Sequence, residues 1–145
     1  MGQQQLLLLV LGIVLVMVAV VAGLMIFEDN IKKSNSESLI SDAVNIATSA
    51  QSWKVRPTAF GGQQGQYRDD PMDYTGFDFN SISLPTPHIT ANGAFTFTAD
   101  ARGLVIIGQN EDHGNQVTLT VDGLTERDII AVVSNFDETL NITSQ

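Results

Sequence analysis

Between Leu6 and Phe27 the chain reads LLLLVLGIVLVMVAVVAGLMIF, 22 residues without a charge, a proline or a strongly polar side chain. Nothing else in the sequence narrows the possible folds so sharply. As a helix the run is about 33 Å long at 1.5 Å per residue, which matches a hydrocarbon core of about 30 Å. Three readings compete for such a run: a disposable secretion signal, a membrane anchor, or the core of a polymer. A cleavable signal has a basic start, an apolar stretch of about 7–15 residues and a small-residue cleavage site. Here no Lys or Arg precedes the run, and the run is too long. The segment is therefore expected to stay with the protein.

All 16 acidic and 7 basic residues lie beyond Phe27, so residues 28–145 carry the whole net charge of −9. That balance disfavours binding to nucleic acid or to anionic lipid through the domain. It would suit a salty habitat, but an ordinary acidic extracytoplasmic domain is the favoured reading. The sequence has no cysteine, which removes lipidation through cysteine, disulfides and thiolate metal sites together.

After Phe27 comes EDNIKKSNSES, polar on every side but free of glycine and proline. Leu39, Ala43, Ile46, Ala50 and Trp53 then recur at spacings of 4, 3, 4 and 3, with Ile40, Val44 and Ala47 beside them. This is one apolar face of a helix, and it predicts packing of the helix on its own domain. Pro57 sets the stop, because the residue before a proline is pushed out of helical geometry. One helix over about residues 2–55 follows. Three segments are expected: 1–27, the membrane-spanning or polymer-core half of the helix; 28–56, its amphipathic half; and 57–145, a globular antiparallel β domain.

Thr58 to Pro87 reads as a long irregular loop, with Tyr67, Tyr74, Phe77 and Phe79 as the side chains that would pin it. The period then changes to two. Residues 94–98, 104–107 and 117–121 predict a three-stranded antiparallel meander, with Asn92-Gly93 as a turn before it. The passage LTERDIIAVVSNF is ambiguous. Its β-branched residues suit a fourth strand, whereas Thr125 with Asp128 resembles a capping box, and Ile129, Val132, Val133 and Phe136 fall at helical spacing. A short helix at 125–134 is the expectation. Residues 137–145 form a tail readable as strand or coil. The fold class is α+β, a long N-terminal helix packed on a small antiparallel sheet.

The search for chemistry yields no catalytic set. His88 and His113 lie in a Pro-rich loop and a polar connection, and Asp112-His113 has no placed nucleophile. Asp69, Asp70, Asp73 and Asp78 around Gly76 are the best hard-cation candidates. Their spacing differs from that of the helix–loop–helix calcium loop, and a solvated acidic loop is the favoured reading, so no metal site is expected. The aromatics Phe27, Trp53, Phe60, Tyr67, Tyr74, Phe77 and Phe79 are expected to serve packing. Asn141-Ile142-Thr143 fits the N-glycosylation pattern, a three-residue match that also arises by chance. No enzyme activity and no cofactor are expected.

The order of parts resembles type IV pilins and pseudopilins. A charge-free N-terminal segment runs into an amphipathic helix, then a loop, a meander and a variable C-terminal region, so the resemblance spans the whole chain. VTLTVDGLTERDIIAVV is also similar to the C-terminal part of some type IVb-like pilins. The resemblance implies a subunit held in the inner membrane, then extracted by pilus assembly machinery and stacked with copies of itself into a prokaryotic cell-surface filament. Such filaments serve adhesion, motility, DNA uptake or secretion. It further implies that Leu6, Leu7, Leu8, Leu9, Val10, Leu11, Ile13, Val14, Leu15, Val16, Ala19 and Gly23 lie in the filament core. Ala19 and Gly23 form a small-xxx-small pair, a spacing also common in ordinary membrane spans. Gln3, Gln4 and Gln5 would hydrogen-bond between copies, or lie among lipid headgroups. The family usually carries a glutamate at the fifth mature position; counted from Met1, that place is Gln5. The family's frequent proline within the apolar half is absent, so local unwinding would fall near Gly12 or Gly23. No basic leader ending in glycine is visible. The competing function is a single-span anchored binding domain that never polymerises. An anchor tolerates a flexible linker, whereas a filament subunit needs a rigid one, and Glu28 to Arg56 contains neither glycine nor proline.

Overall fold

The computed structural model describes residues 2–63 and 70–135. It consists of a 54-residue helix, α1 (Gly2–Val55), and a five-stranded antiparallel sheet that α1 contacts. The chain divides into two compact units, one ending at Ser34 and the other beginning at Asn35. In the first, every residue from Gly2 to Ser34 is exposed.

The second unit has the core. Leu39, Ala43, Ile46, Ala47, Ala50 and Trp53 of α1 are buried, so the apolar stripe is the face that packs. The sheet runs β1 (His88–Ile89), β2 (Ala94–Asp100), β3 (Gly103–Asn110), β4 (Asn115–Val121) and β5 (Ile129–Asn135), in that spatial order. Along β4, Asn115, Val117, Leu119 and Val121 are buried while Gln116, Thr118 and Thr120 are half-buried, the alternation of a strand with one covered face. Leu104 and Ile106 of β3 lie opposite Val121 and Leu119 and join the same core. At the Asn92-Gly93 turn a Cβ on Gly93 would strike the Gln109 carbonyl oxygen and the Leu39 side chain, so only glycine fits there.

The loop between α1 and the sheet is pinned by aromatics. Phe77 meets Trp53 at 5.5 Å and Phe97 at 5.3 Å between ring centroids, and Phe79 meets Phe97 at 4.5 Å. Trp53 thus packs against the loop as well as belonging to the core under the sheet. Tyr74 is fully buried, and its hydroxyl donates to the Gly123 carbonyl at 2.7 Å. Tyr67 lies outside the described residues.

Two expectations need correction. The meander has five strands rather than three, because His88–Ile89 adds a short strand beside β2 and Ile129–Asn135 adds a full one beside β4. The expected helix at 125–134 does not form. Thr125 and Asp128 do pair, with Thr125 N–H and Oγ1 donating to Asp128 Oδ2 at 2.9 and 2.7 Å. That pairing closes only a single 3-10 turn, Glu126–Asp128. Ile129 onward then pairs with β4 residue for residue, Val121↔Ile129 through Asn115↔Asn135. The β-branched residues fit this pleated surface better than a helix, and pairing satisfies the backbone of β4.

Candidate functional site

The feature that demands a partner is the apolar half of α1. Leu6, Leu7, Leu8, Leu9, Val10, Leu11, Ile13, Val14, Leu15 and Val16 are between 48 and 68 % exposed, and so are Leu24, Met25, Ile26 and Phe27. The segment is apolar on all sides and long enough to cross a membrane. Burying one such side chain is worth about 1.5–3 kcal/mol, so the run together outweighs the roughly 5–15 kcal/mol of a typical domain's stability. Water cannot be its resting environment. A long apolar helix of this kind at the N-terminus suggests membrane anchoring or secretion.

Gly12 and Gly23 sharpen this. Glycine inside a helix costs about 1 kcal/mol relative to alanine, and a Cβ on either would meet nothing within 4 Å. No packing within the described chain therefore asks for glycine there. Ala19 and Gly23 are one turn apart on the helix, where small residues let another helix approach. Gln3, Gln4 and Gln5 are exposed at the N-terminal end of the run. Between Phe27 and the core, Glu28 to Ser34 stays helical and exposed, with no break in α1.

In the second unit α1 is locked to the sheet by polar clamps that the sequence did not reveal. Near its entry, Asn35 Nδ2 donates to the Asn92 carbonyl at 3.2 Å, and Asn115 Nδ2 donates to Asn35 Oδ1 at 3.1 Å. Asn110 Nδ2 reaches the same Asn92 carbonyl, while Asn92 Nδ2 and Thr90 Oγ1 both donate to Asp42 Oδ2. Asn110 and Asn115 are buried and continue the inward alternation of β3 and β4, the one signal that could have singled them out. At the other end of the stripe, Lys54 is buried and its ammonium donates to the carbonyls of Asp70 and Asp73 at 2.8 and 2.6 Å. It also lies over the Tyr74 ring, 4.6 Å from the centroid. Burial lowers the Lys54 pKa, and the Asp73 and Asp70 carboxylates pull it partly back. Burial pushes the Tyr74 phenol up, with a smaller push from the Asp128 carboxylate.

Among the described residues the candidate cation ligands Asp70, Asp73 and Asp78 do not converge. Asp70 Oδ1 accepts from Met72 N–H, Asp73 Oδ1 from Thr75 N–H, and Asp78 Oδ2 from the Asn80 amide. Each carboxylate closes its own turn. The hydrogen bonds from Thr75 and Asn80 hold Asp73 and Asp78 below the usual carboxylate range. Among the described residues no three His, Asp or Glu converge on a metal position; Asp69 lies outside them. His88 packs edge-on against Phe79 on the β1 edge, whereas His113 lies in the β3–β4 turn, where Asn110 Oδ1 accepts its backbone N–H. Asn141 is outside the described residues. No family model, no curated protein and no solved structure matches the chain. Its architecture is pilin-like in the coarse sense: a long apolar N-terminal helix contacting a five-stranded antiparallel sheet.

Proposed function

We propose that this chain is the structural subunit of an extracellular helical filament. The apolar half of α1 first lies in the inner membrane and then leaves lipid for a bundle of copies, while the β domain forms the outer wall. The observation that carries the reading is the uninterrupted α1 from Gly2 to Val55, exposed and apolar at one end and clamped to a sheet at the other. A helix serves both environments because its backbone bonds are satisfied internally. Its side chains match lipid and match one another, so transfer costs little and many subunits share the packing gain. The partners are further copies of the chain, the membrane before assembly, and machinery that extracts subunits. No catalytic step is assigned to it.

Electron microscopy of material sheared from the cell surface, with mass spectrometry of the purified fibres, tests this. Fibres composed mainly of this chain are the expected result. Recovery of the chain solely in the membrane fraction, with none in fibres, would favour an anchored binding domain instead.

A further inference from the structure

Glu28, Asp29, Lys32 and Lys33 are the only charged side chains in residues 1–34, and they follow directly on the apolar run. They sum to zero in a chain whose net charge is −9. All four lie on an exposed, unbroken part of α1 within the first compact unit. At about 100° per residue, Glu28 and Lys32 stand nearly in line along the helix, as do Asp29 and Lys33, and the two columns are about 100° apart. Each column has its acid toward the apolar run and its base about 6 Å farther along. Uncharged Asn30, Ile31 and Ser34 take the rest of the circumference. An acid four places before a base also steadies a single helix, so support within the helix is the competing role. Two such columns, however, give the helix a charged face toward each of two neighbours in a bundle.

Two parallel copies at the same depth bring acid beside acid and base beside base. A shift of about one turn reverses this. Lys32 of one copy comes level with Asp29 of the next at a shift of about 4.5 Å, and Lys33 with Glu28 at about 7.5 Å. The band is its own complement, but only between staggered copies.

We infer that this band sets the axial stagger between neighbouring copies of the chain, opposing contact at one depth and favouring a shift of about 6 Å. A bilayer holds every apolar run at a common depth, because moving one by a turn creates hydrophobic mismatch. There the bands repel and keep copies apart. A polymer imposes no such plane, and staggered copies are stabilised by the same charges. A second copy is the partner because the pattern matches itself after a shift, and because one membrane or one filament supplies parallel copies of α1. Charges of this kind fix register more than they add affinity, as interhelical pairs do in coiled coils. The stagger rests on the filament reading, whereas repulsion at one depth holds for any copies sharing a bilayer.

Two full-length variants test it: an all-acidic chain, Lys32→Glu with Lys33→Glu, and an all-basic chain, Glu28→Lys with Asp29→Lys. The native sequence has no cysteine, so Glu111→Cys in the exposed β3–β4 turn gives each chain one labelling site. In phosphatidylcholine vesicles at fixed density, energy transfer between wild-type chains should stay near the level of random encounter. Mixed all-acidic and all-basic chains attract at one depth and should exceed it several-fold. Salt at about 1 M, where the screening length falls to roughly 3 Å, should remove the difference. A mixture equal to wild type would overturn the inference, whether or not filaments form. All-basic chains mixed with wild type should show no such rise. An equal rise there would trace the attraction to the acidic domains and overturn the inference too.

Filaments grown by detergent removal without lipid read the stagger. Each variant alone should lose about tenfold in yield, and mixing the two should restore it. The full exchange, Glu28→Lys, Asp29→Lys, Lys32→Glu and Lys33→Glu together, should assemble as wild type does, since a shifted copy still meets opposite charge. Circular dichroism checks that α1 stays helical in every chain. Loss in both variants without rescue on mixing would mean that the charges act within one helix, and would overturn the inference while the filament stands. Variants that each assemble like wild type would do the same. Absence of filaments from wild type itself would overturn the stagger together with the filament reading.

Discussion

Asn115 Nδ2 donates to Asn35 Oδ1 at 3.1 Å, joining the start of β4 to the turn of α1 where the folded unit begins, 80 positions earlier. Asn115 is only 2 % exposed, so this amide is a buried polar group with a defined partner. Together with the bonds to Asn92 and Asp42 it fixes the rotation and height of the α1 stripe against the sheet.

Asn115→Ala should therefore cost about 1–3 kcal/mol, the penalty for leaving a buried polar partner unsatisfied. Thr118→Ala, on the half-buried face of the same strand, should stay within about 0.5 kcal/mol of wild type. Thermal unfolding of the two variants, followed by emission of the sole tryptophan, compares them. Equal effects would show that the amide network does not hold the helix.

Trp53→Ala should destabilise by about 3–5 kcal/mol, the range for emptying a large aromatic site. The residue is 4 % exposed and packs edge-on against Phe77. Its Nε1 also donates to the Gly61 carbonyl at 3.0 Å, which holds the turn after α1. Trp53→Phe keeps most of the burial and loses that bond, so about 1 kcal/mol is expected. Stability differences from unfolding midpoints check both values, and blue-shifted Trp53 emission in the native state checks the burial.

The helical stripe was legible because a period of 3.6 needs only local sequence. Leu39, Ala43, Ile46, Ala50 and Trp53 announce both the helix and the face it buries. The alternation in 94–98 and 117–121 was equally plain. β5 was misread because Ile129, Val132 and Val133 satisfy a helical spacing by coincidence, and because the Thr125–Asp128 pairing is real but caps only one turn. Only the open edge of β4 decides between the two readings. β1 was missed since two residues carry no period, and their pairing is set by β2. The asparagine clamps escaped for a similar reason: Asn35, Asn92, Asn110 and Asn115 are far apart in sequence, and only the fold brings them together. Nor did Lys54 stand out, a lone cation beside the stripe whose partners are backbone carbonyls.

Alkaline pH should act through Tyr74. Its folded pKa is raised above the ordinary value of 10.0, so the native state holds the phenolic proton where the unfolded chain has lost it. Its contribution is complete below about pH 10 and is lost as pH rises beyond that. Lys54 acts with the opposite sign: its folded pKa is lowered, so stability rises as pH climbs through that value toward 10.5. Tyr74→Phe should be less stable at neutral pH, having lost the bond to Gly123, yet should show a shallower fall above pH 10. Unfolding curves of both proteins across the alkaline range measure this, and parallel declines would refute the assignment to Tyr74.

The central claim is that the apolar half of α1 is the contact by which copies polymerise, and detergent removal from the full-length chain without lipid tests it most directly. Wild type should form uniform filaments under the electron microscope. Leu8→Asp, which places an unpaired charge among packed apolar helices, should form none while Trp53 emission still reports a folded domain. Filaments from Leu8→Asp matching wild type in yield and length would contradict the account, as would a wild-type chain that forms only amorphous aggregate without lipid and remains dispersed as monomers in vesicles.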